Sequence, residues 1–471
     1  MQLSDSVFKR LFSMTLYKNL KISMGSMTFT KDFVTDKRGD MYPILEKSRD
    51  LVEVIEKNTY YIKAGRVKRF MTRFFPYATY ELTFNSVCGK AGFVFKLPQV
   101  EASVLYSCGR LIFSDNSKTE EYSVNSLCGT EITMIVSCRP GAFDVYFRIN
   151  NKPELITTFK SDSFSDSNHY DNFTNASAYV YAEGNVTVKE ALSYIDNGIS
   201  TADIRTIRYE NGDVMVENGK IYLSVTLRLE EEMIQGILSW IPGTCEFDLT
   251  GVLFYDYGDG KWCGDVAASI LYNRNVNMWY MWVCSFSHEH VLAHSEFEGD
   301  PRFGVNVIDA VLMKKSESSD ITRFEGFSGD EDPDFFYDER EQKWFMAICR
   351  TNPETKDYSY LFFESESPFD NYTYIGKGKN GAETGGSFVK IDGKQYFICG
   401  NDYNKVSDYR AYSKDGMENL KFNFPDGGFR GWGTIIPVKQ TSRTRYYHLT
   451  FDRHNASDYN WSYGNLYCFE L

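Results

Sequence analysis

Acidic side chains recur through the second half of the chain, each opening a short run of strand-forming residues. Asp213, or Glu210 just before it, precedes Val214-Met215-Val216, and Asp265 precedes Val266-Ala267-Ala268. Glu331, Asp332 and Asp334 cluster around Pro333, and Glu383 opens Glu383-Thr384-Gly385-Gly386-Ser387. A fifth such start carries Arg430 and Trp432. Carboxyl groups crowded together cannot all ionise at their ordinary pKa, so at least one is raised. A raised carboxyl is a proton donor near neutral pH. Two of them can cleave a glycosidic bond, one protonating the leaving oxygen while the other assists attack. The plainer reading of any one of them is a cap on a strand or turn, or a cation ligand.

Other side chains invite chemistry of their own. His288, His290 and His294 have a parity that suits one strand face, yet no carboxylate cluster is fixed beside them by spacing. No metal and no cofactor is therefore expected, and His290 or His294 is expected as a substrate contact. Trp432 can stack on a sugar ring, and Arg430 or Arg453 can pair with an acidic sugar. The ten cysteines show no CxxC spacing and read as buried thiols rather than zinc ligands.

Elements must hold these residues in place, and an internal repeat names them. Residues 217–225, 275–283, 341–349, 392–400 and 442–450 each combine a turn with an aromatic-rich strand. Their anchors Tyr222, Trp279, Trp344, Tyr396 and Tyr446 are 57, 65, 52 and 50 residues apart. That length builds one four-stranded propeller blade. An all-β protein is expected, with a five-bladed β-propeller over 205–471 and its strand-opening carboxylates at one mouth of the channel. Residues 21–204 read as short alternating strands of a lectin-like β-sandwich. Residues 1–20 form a lead-in, and 188–198 a short helix or linker. All seven Trp lie at or after position 240, which supports a boundary near 205.

Composition narrows the partners. The formal net charge of −13 disfavours nucleic acid and anionic membranes, whose phosphates need a basic surface. No run approaches the roughly 20 apolar residues of a membrane helix. The N-terminus lacks the apolar core of a secretory signal, which points to the cytoplasm, or to secretion if a leader has been removed. A carbohydrate is the expected partner, and the sequence does not specify an oligomeric state.

The run from Gly329 to Asp338, with Asp332-Pro333 at its centre and Lys343-Trp344-Phe345-Met346 after it, resembles a known blade start. It is the Asp-Pro start of five-bladed-propeller glycoside hydrolases, the arabinanase/β-xylosidase and invertase/levanase families. Glu383 to Phe397 resembles their general-acid strand, in which a Glu opens a strand that turns at Asp-Gly, here Asp392-Gly393. The 51 residues between Asp332 and Glu383 fit adjacent blades. The resemblance, which covers the C-terminal part only, implies that Glu383 is the general acid and Asp332 its electrostatic partner. It also implies a catalytic Asp opening the first blade. There the chain offers Glu210 at the counted position and Asp213 nearby, with Asp265 of the next blade as a substitute. Some relatives place a His in the fifth blade beside a central ion or water cluster. This chain has Arg-Gly-Trp-Gly at 430–433, and no calcium site is inferred.

A glycosidase is the leading expectation. A phosphorylase or transglycosidase on the same propeller would need a phosphate pocket of clustered Arg, Lys and His. A non-catalytic carbohydrate-binding propeller would leave the first-blade carboxylate without a role.

Overall fold

The computed structural model describes residues 22–23, 54–56, 60–62, 66–125, 130–149, 152–195, 200–228, 233–244, 247–313, 320, 328–352, 354–355, 357–379, 383–401, 408–421, 433–440, 443–453 and 463–470. The 1–20 lead-in, Arg430 and Trp432 lie outside them. Among the described residues the helical turns are Asp162–Phe164 and Tyr170–Phe173, and no helix is long and apolar enough to cross a membrane. The chain divides into two compact units, one of 28–196 with 258–263 and one of 197–257 with 264–471 and the first residues.

The first unit is built on two long strands, β1 (Thr79–Lys96) and β2 (Ser177–Tyr194). They pair antiparallel along their length, Ser177 opposite Lys96 and Tyr194 opposite Thr79. The first half of β1 also pairs with Glu131–Arg139 and the second half with Glu101–Ser107, so one strand serves two layers. Gly92 lies in the second half, opposite Leu105 on one side and Tyr181 on the other. A Cβ there would come within 2.1 Å of the Val104 carbonyl, which only glycine avoids. Alternation buries Phe93, Phe95, Phe113, Phe143 and Phe159 between the layers. Each such Phe stabilises the fold by about 1.5–3 kcal/mol. Trp262 belongs here too, its ring 4.7 Å from Phe173 and its carbonyl accepting from the Tyr77 hydroxyl at 2.7 Å. The expected helix or linker at 188–198 is corrected: residues 188–194 continue β2, because their cross-strand partners extend to Thr79.

The second unit has the propeller-like arrangement expected from the repeat. Its inner strands are β3 (Ser200–Thr206), β4 (Val266–Asn273), β5 (Ser328–Asp338), β6 (Glu383–Ile391) and β7 (Gly433–Lys439). Each starts an antiparallel meander, and four of the five aromatic anchors, Tyr222, Trp279, Trp344 and Tyr396, are buried. The count of five separate blades is corrected to four sheets. β3 pairs with Lys220–Arg228 on one side and meets Tyr463 through Thr201 on the other. The first and last meanders are thereby joined in one ten-stranded sheet that closes the ring. Because β3 belongs to this unit, the boundary falls before residue 200 rather than near 205.

Candidate functional site

Four inner strands break register at the same station. The slips fall between Ala202 and Arg205 in β3, Val266 and Ser269 in β4, Glu331 and Asp334 in β5, and Thr384 and Ser387 in β6. Within each slip one residue is left-handed: Asp203 (φ 52°), Ala267 (61°), Asp332 (49°) and Gly385 (61°). For a non-glycine residue this conformation costs roughly 1–2 kcal/mol. Bulges of this kind re-aim side chains and gather beside functional sites.

One side chain shows that the bulges stand together. Arg205, 2% exposed, leaves β3 and crosses the channel. Its Nη1 donates to the Ala267 carbonyl at 3.2 Å, and its Nε to the Gly386 carbonyl at 3.3 Å. Its Nη2 lies 3.2 Å from Asp332 Oδ1. The other Asp332 oxygen accepts from Thr384 Oγ1 and the Gly385 amide, both at 3.1 Å. Asp203 is half-buried and accepts from Thr226 Oγ1 at 2.7 Å. Arg208 repeats the arrangement further along. It binds Asp334, the Phe335 carbonyl at 3.2 Å and the Phe388 carbonyl at 2.7 Å. Two buried guanidinium groups thus fill the channel below the bulges.

Glu331 faces outward beside this floor, its side chain 27% exposed and 3.2 Å from His290 Nε2. His290 sits on the turn after Met278–Ser285 and packs on Phe286, with ring centres 4.6 Å apart. Phe286 is 39% exposed, an aromatic face open to solvent at the bulge end.

The other predicted residues are placed differently. Glu383, Asp265 and Asp330 occupy equivalent positions, each two residues before its bulge, and each is held close by. Asp265 is buried and accepts from Tyr257 Oη at 2.6 Å, Ser285 Oγ at 2.9 Å, Ser287 Oγ at 2.6 Å and the Ser287 amide at 2.9 Å. Asp330 binds Arg350 Nε at 2.5 Å. Glu383 is 0% exposed; one oxygen binds Arg410 Nη1 at 2.6 Å and Tyr412 Oη, and the other accepts from the Tyr360 amide at 3.3 Å. Burial raises its pKa, only partly offset by Tyr412 and Arg410. A proton donor must reach the leaving oxygen, and this carboxyl has no open edge from which to do so. Thus the structure joins Asp332 to Arg205 and Thr384, and Asp332, Asp265 and Glu383 are all buried, at 5%, 3% and 0% exposed.

Glu210 and Asp213 lie at the opposite end, which corrects their placement at the carboxylate-rich mouth. The Tyr337 amide donates to the Glu210 carbonyl at 2.7 Å, and Tyr337 stands near the far end of β5. The Glu210 carboxylate is taken by Arg274, whose Nη2 is 2.6 Å away. Burial pushes that carboxyl up, but the Arg274 contacts outweigh it and hold it below the usual range. Asp213 pairs with Lys390 and Lys439, each at 3.4 Å, and is likewise held low against the effect of burial. A cleft of about 1260 Å³ opens between the β5 and β6 sheets, lined by residues such as Phe345, Phe397, Lys414 and Gln395, and none of the predicted carboxylates lines it.

The three histidines part company. His288 Nδ1 lies 3.1 Å from Ser287 Oγ, His290 meets Glu331, and His294 stacks on Phe369. Burial lowers the His294 pKa. Cys138, Cys284, Cys349 and Cys399 are buried and outside any disulfide, whereas Cys108 is exposed.

Asp203 is the residue that counting along the sequence misses. The count that selects Glu210 assumes a direct turn between the inner strand and the next. Instead Arg208–Tyr209 and Val216–Glu217 intervene as short strands. The available signal is the order acid, apolar, charged, shared by Asp203-Ile204-Arg205 and Asp332-Pro333-Asp334.

No family model matches the chain, and no curated protein matches it. Solved structures do. A GH43 β-1,3-galactosidase is 12% identical over 58% of this chain and 94% of its own, with a TM-score of 0.38. An exo-β-1,3-galactanase of Clostridium thermocellum is 13% identical over 57% of this chain and 63% of its own, with a TM-score of 0.41. A galectin of Caenorhabditis elegans is 12% identical over 30% of this chain and 99% of its own, with a TM-score of 0.23. At such identities the likeness concerns the fold alone, and at such TM-scores it carries no argument about chemistry.

Proposed function

We propose that the propeller unit hydrolyses glycosidic bonds at the bulge end of its channel, with Glu331, Asp203 and Asp332 as the reacting carboxyl groups. The supporting observation is the shared station of Asp203 and Asp332, both left-handed at equivalent bulges and both acting on Arg205. Glu331 is open enough to donate a proton to a leaving oxygen. Asp203, half-buried and bonded to the Thr226 hydroxyl, assists attack at the anomeric carbon. Asp332, buried and fixed by Arg205, Thr384 and Gly385, acts from beneath the site as a fixed charge near the oxocarbenium-like transition state rather than by contact. Phe286 offers a face to a sugar ring, and His290 orients Glu331. Glu383 and Asp265 hold their strands in place.

The test is sugar release from a panel of aryl glycosides and oligosaccharides, with and without phosphate. Asp203→Asn should lower turnover by about 10²–10⁴-fold, the usual worth of one acid–base group. Wild-type turnover in that variant overturns the assignment. A second reading, a propeller that binds glycans without cleaving them, is favoured by the closed environment of Glu383 and by the pairing of Asp332 with a buried arginine. Oligosaccharide binding in calorimetry without sugar release would select it. Strict dependence on phosphate would select a phosphorylase.

A further inference from the structure

We infer that Arg205 is a positioning residue, which sets the geometry of the carboxylates around it and supplies the positive charge that faces them, without touching substrate. The kinetic part of this inference rests on the hydrolase reading; the structural part does not. A buried guanidinium keeps its proton, because its pKa lies far above any working pH. Burial works against the charge of Arg205, but Asp332, Tyr360, Asp334 and Asp203 outweigh it. The groups around Asp332 are Glu331 and Asp334 on its own strand, Cys284 and Cys349 on the second strands of the β4 and β5 sheets, Tyr360 on the third, and Thr384 and Gly385 on β6. Among the described residues Arg205 makes the ion pair to Asp332, and the remaining neighbours are neutral or acidic. Arg205 therefore supplies the positive charge that faces Asp332 in a crowd of carboxyl groups.

Geometry adds to charge. The guanidinium plane sends Nη1 to the β4 sheet, Nε to the β6 sheet and Nη2 to the β5 sheet. One rigid fork thus spaces three bulges at once. A lysine ammonium carries the same charge but cannot bond the two carbonyls and face Asp332 in those fixed directions.

Two measurements separate this role from general support. The first is the split between kcat and KM for Arg205→Lys against wild type. With the fork lost, the bulge carboxylates are no longer held in place, and kcat should fall by about 10-fold or more with KM unchanged. An unchanged kcat overturns the kinetic claim. The second is a thermal double-mutant cycle of Arg205→Met and Asp332→Asn. Arg205→Met strands a buried carboxylate and should lower Tm, and adding Asp332→Asn should restore part of the loss. Additive losses overturn the pairing. If Arg205→Met does not fold, Arg205→Gln, which also removes the charge, enters the same cycle under the same criterion. If wild-type protein cleaves no glycan, the hydrolase reading fails, while the thermal cycle still decides the role of Arg205.

Discussion

Asp265, Asp330 and Glu383 stand at one station of three successive strands and answer to three different partners: serine and tyrosine hydroxyls, Arg350, and Arg410 with Tyr412. The station demands an acceptor, and each sheet supplies its own donors. A carboxylate there is first a structural group. For Glu383 this has a consequence in pH. Its folded pKa lies above the ordinary value of 4.5, chiefly through burial. Well below that value both folded and unfolded states are protonated. As pH rises past it the unfolded carboxyl ionises first, the unfolded state binds fewer protons, and stability falls until the folded carboxyl ionises too. Glu383→Gln has no such limb. Its Tm relative to wild type should rise as pH goes from about 4 to about 7. Scanning calorimetry across that range checks this, and a difference that stays flat or falls contradicts it. The sequence makes the presence of these acids legible, since side-chain identity is local. Whether an acid faces the channel or its own sheet depends on a register slip of one residue, which no spacing reveals.

The elements explain which parts of the site can be read in advance. Asp392-Gly393 marks a turn through local backbone chemistry and stands where expected, whereas Asp332-Pro333, expected to open a strand, lies at the bulge in the middle of β5. The first blade hides its start because short strands intervene between β3 and Lys220–Arg228. The β5–β6 contact is tight at Gly378, where a Cβ would approach Glu383 Oε2 to 2.0 Å. That oxygen is held by the Tyr360 amide and gives way only at a cost. Gly378→Ala should therefore destabilise the protein by about 1–3 kcal/mol in urea unfolding, the usual cost of overpacking. Unchanged stability would mean that Glu383 is not rigidly seated.

At the scale of the molecule, the sequence repeats set the number of meanders and long-range closure sets the number of sheets. β3 and the last strand are near the two ends of the propeller segment, so their pairing through Thr201 and Tyr463 leaves no local mark. The same closure carries Arg205 to the axis, where it meets groups from the other sheets. A formal charge of −13 spread over the chain leaves buried arginines to balance the central acids. The proposed hydrolase requires that the outward-facing Glu331, and not the enclosed Glu383, supply the proton. The measurement is sugar release by Glu331→Gln and Glu383→Gln side by side, on substrates with poor and with good leaving groups. Glu331→Gln should lose about 10²-fold or more on poor leaving groups and much less on good ones, as removal of a general acid requires. Glu383→Gln should retain most of its turnover at a temperature where it is folded. The opposite ranking, with Glu383→Gln showing the leaving-group dependence and Glu331→Gln at the wild-type rate, would contradict the account.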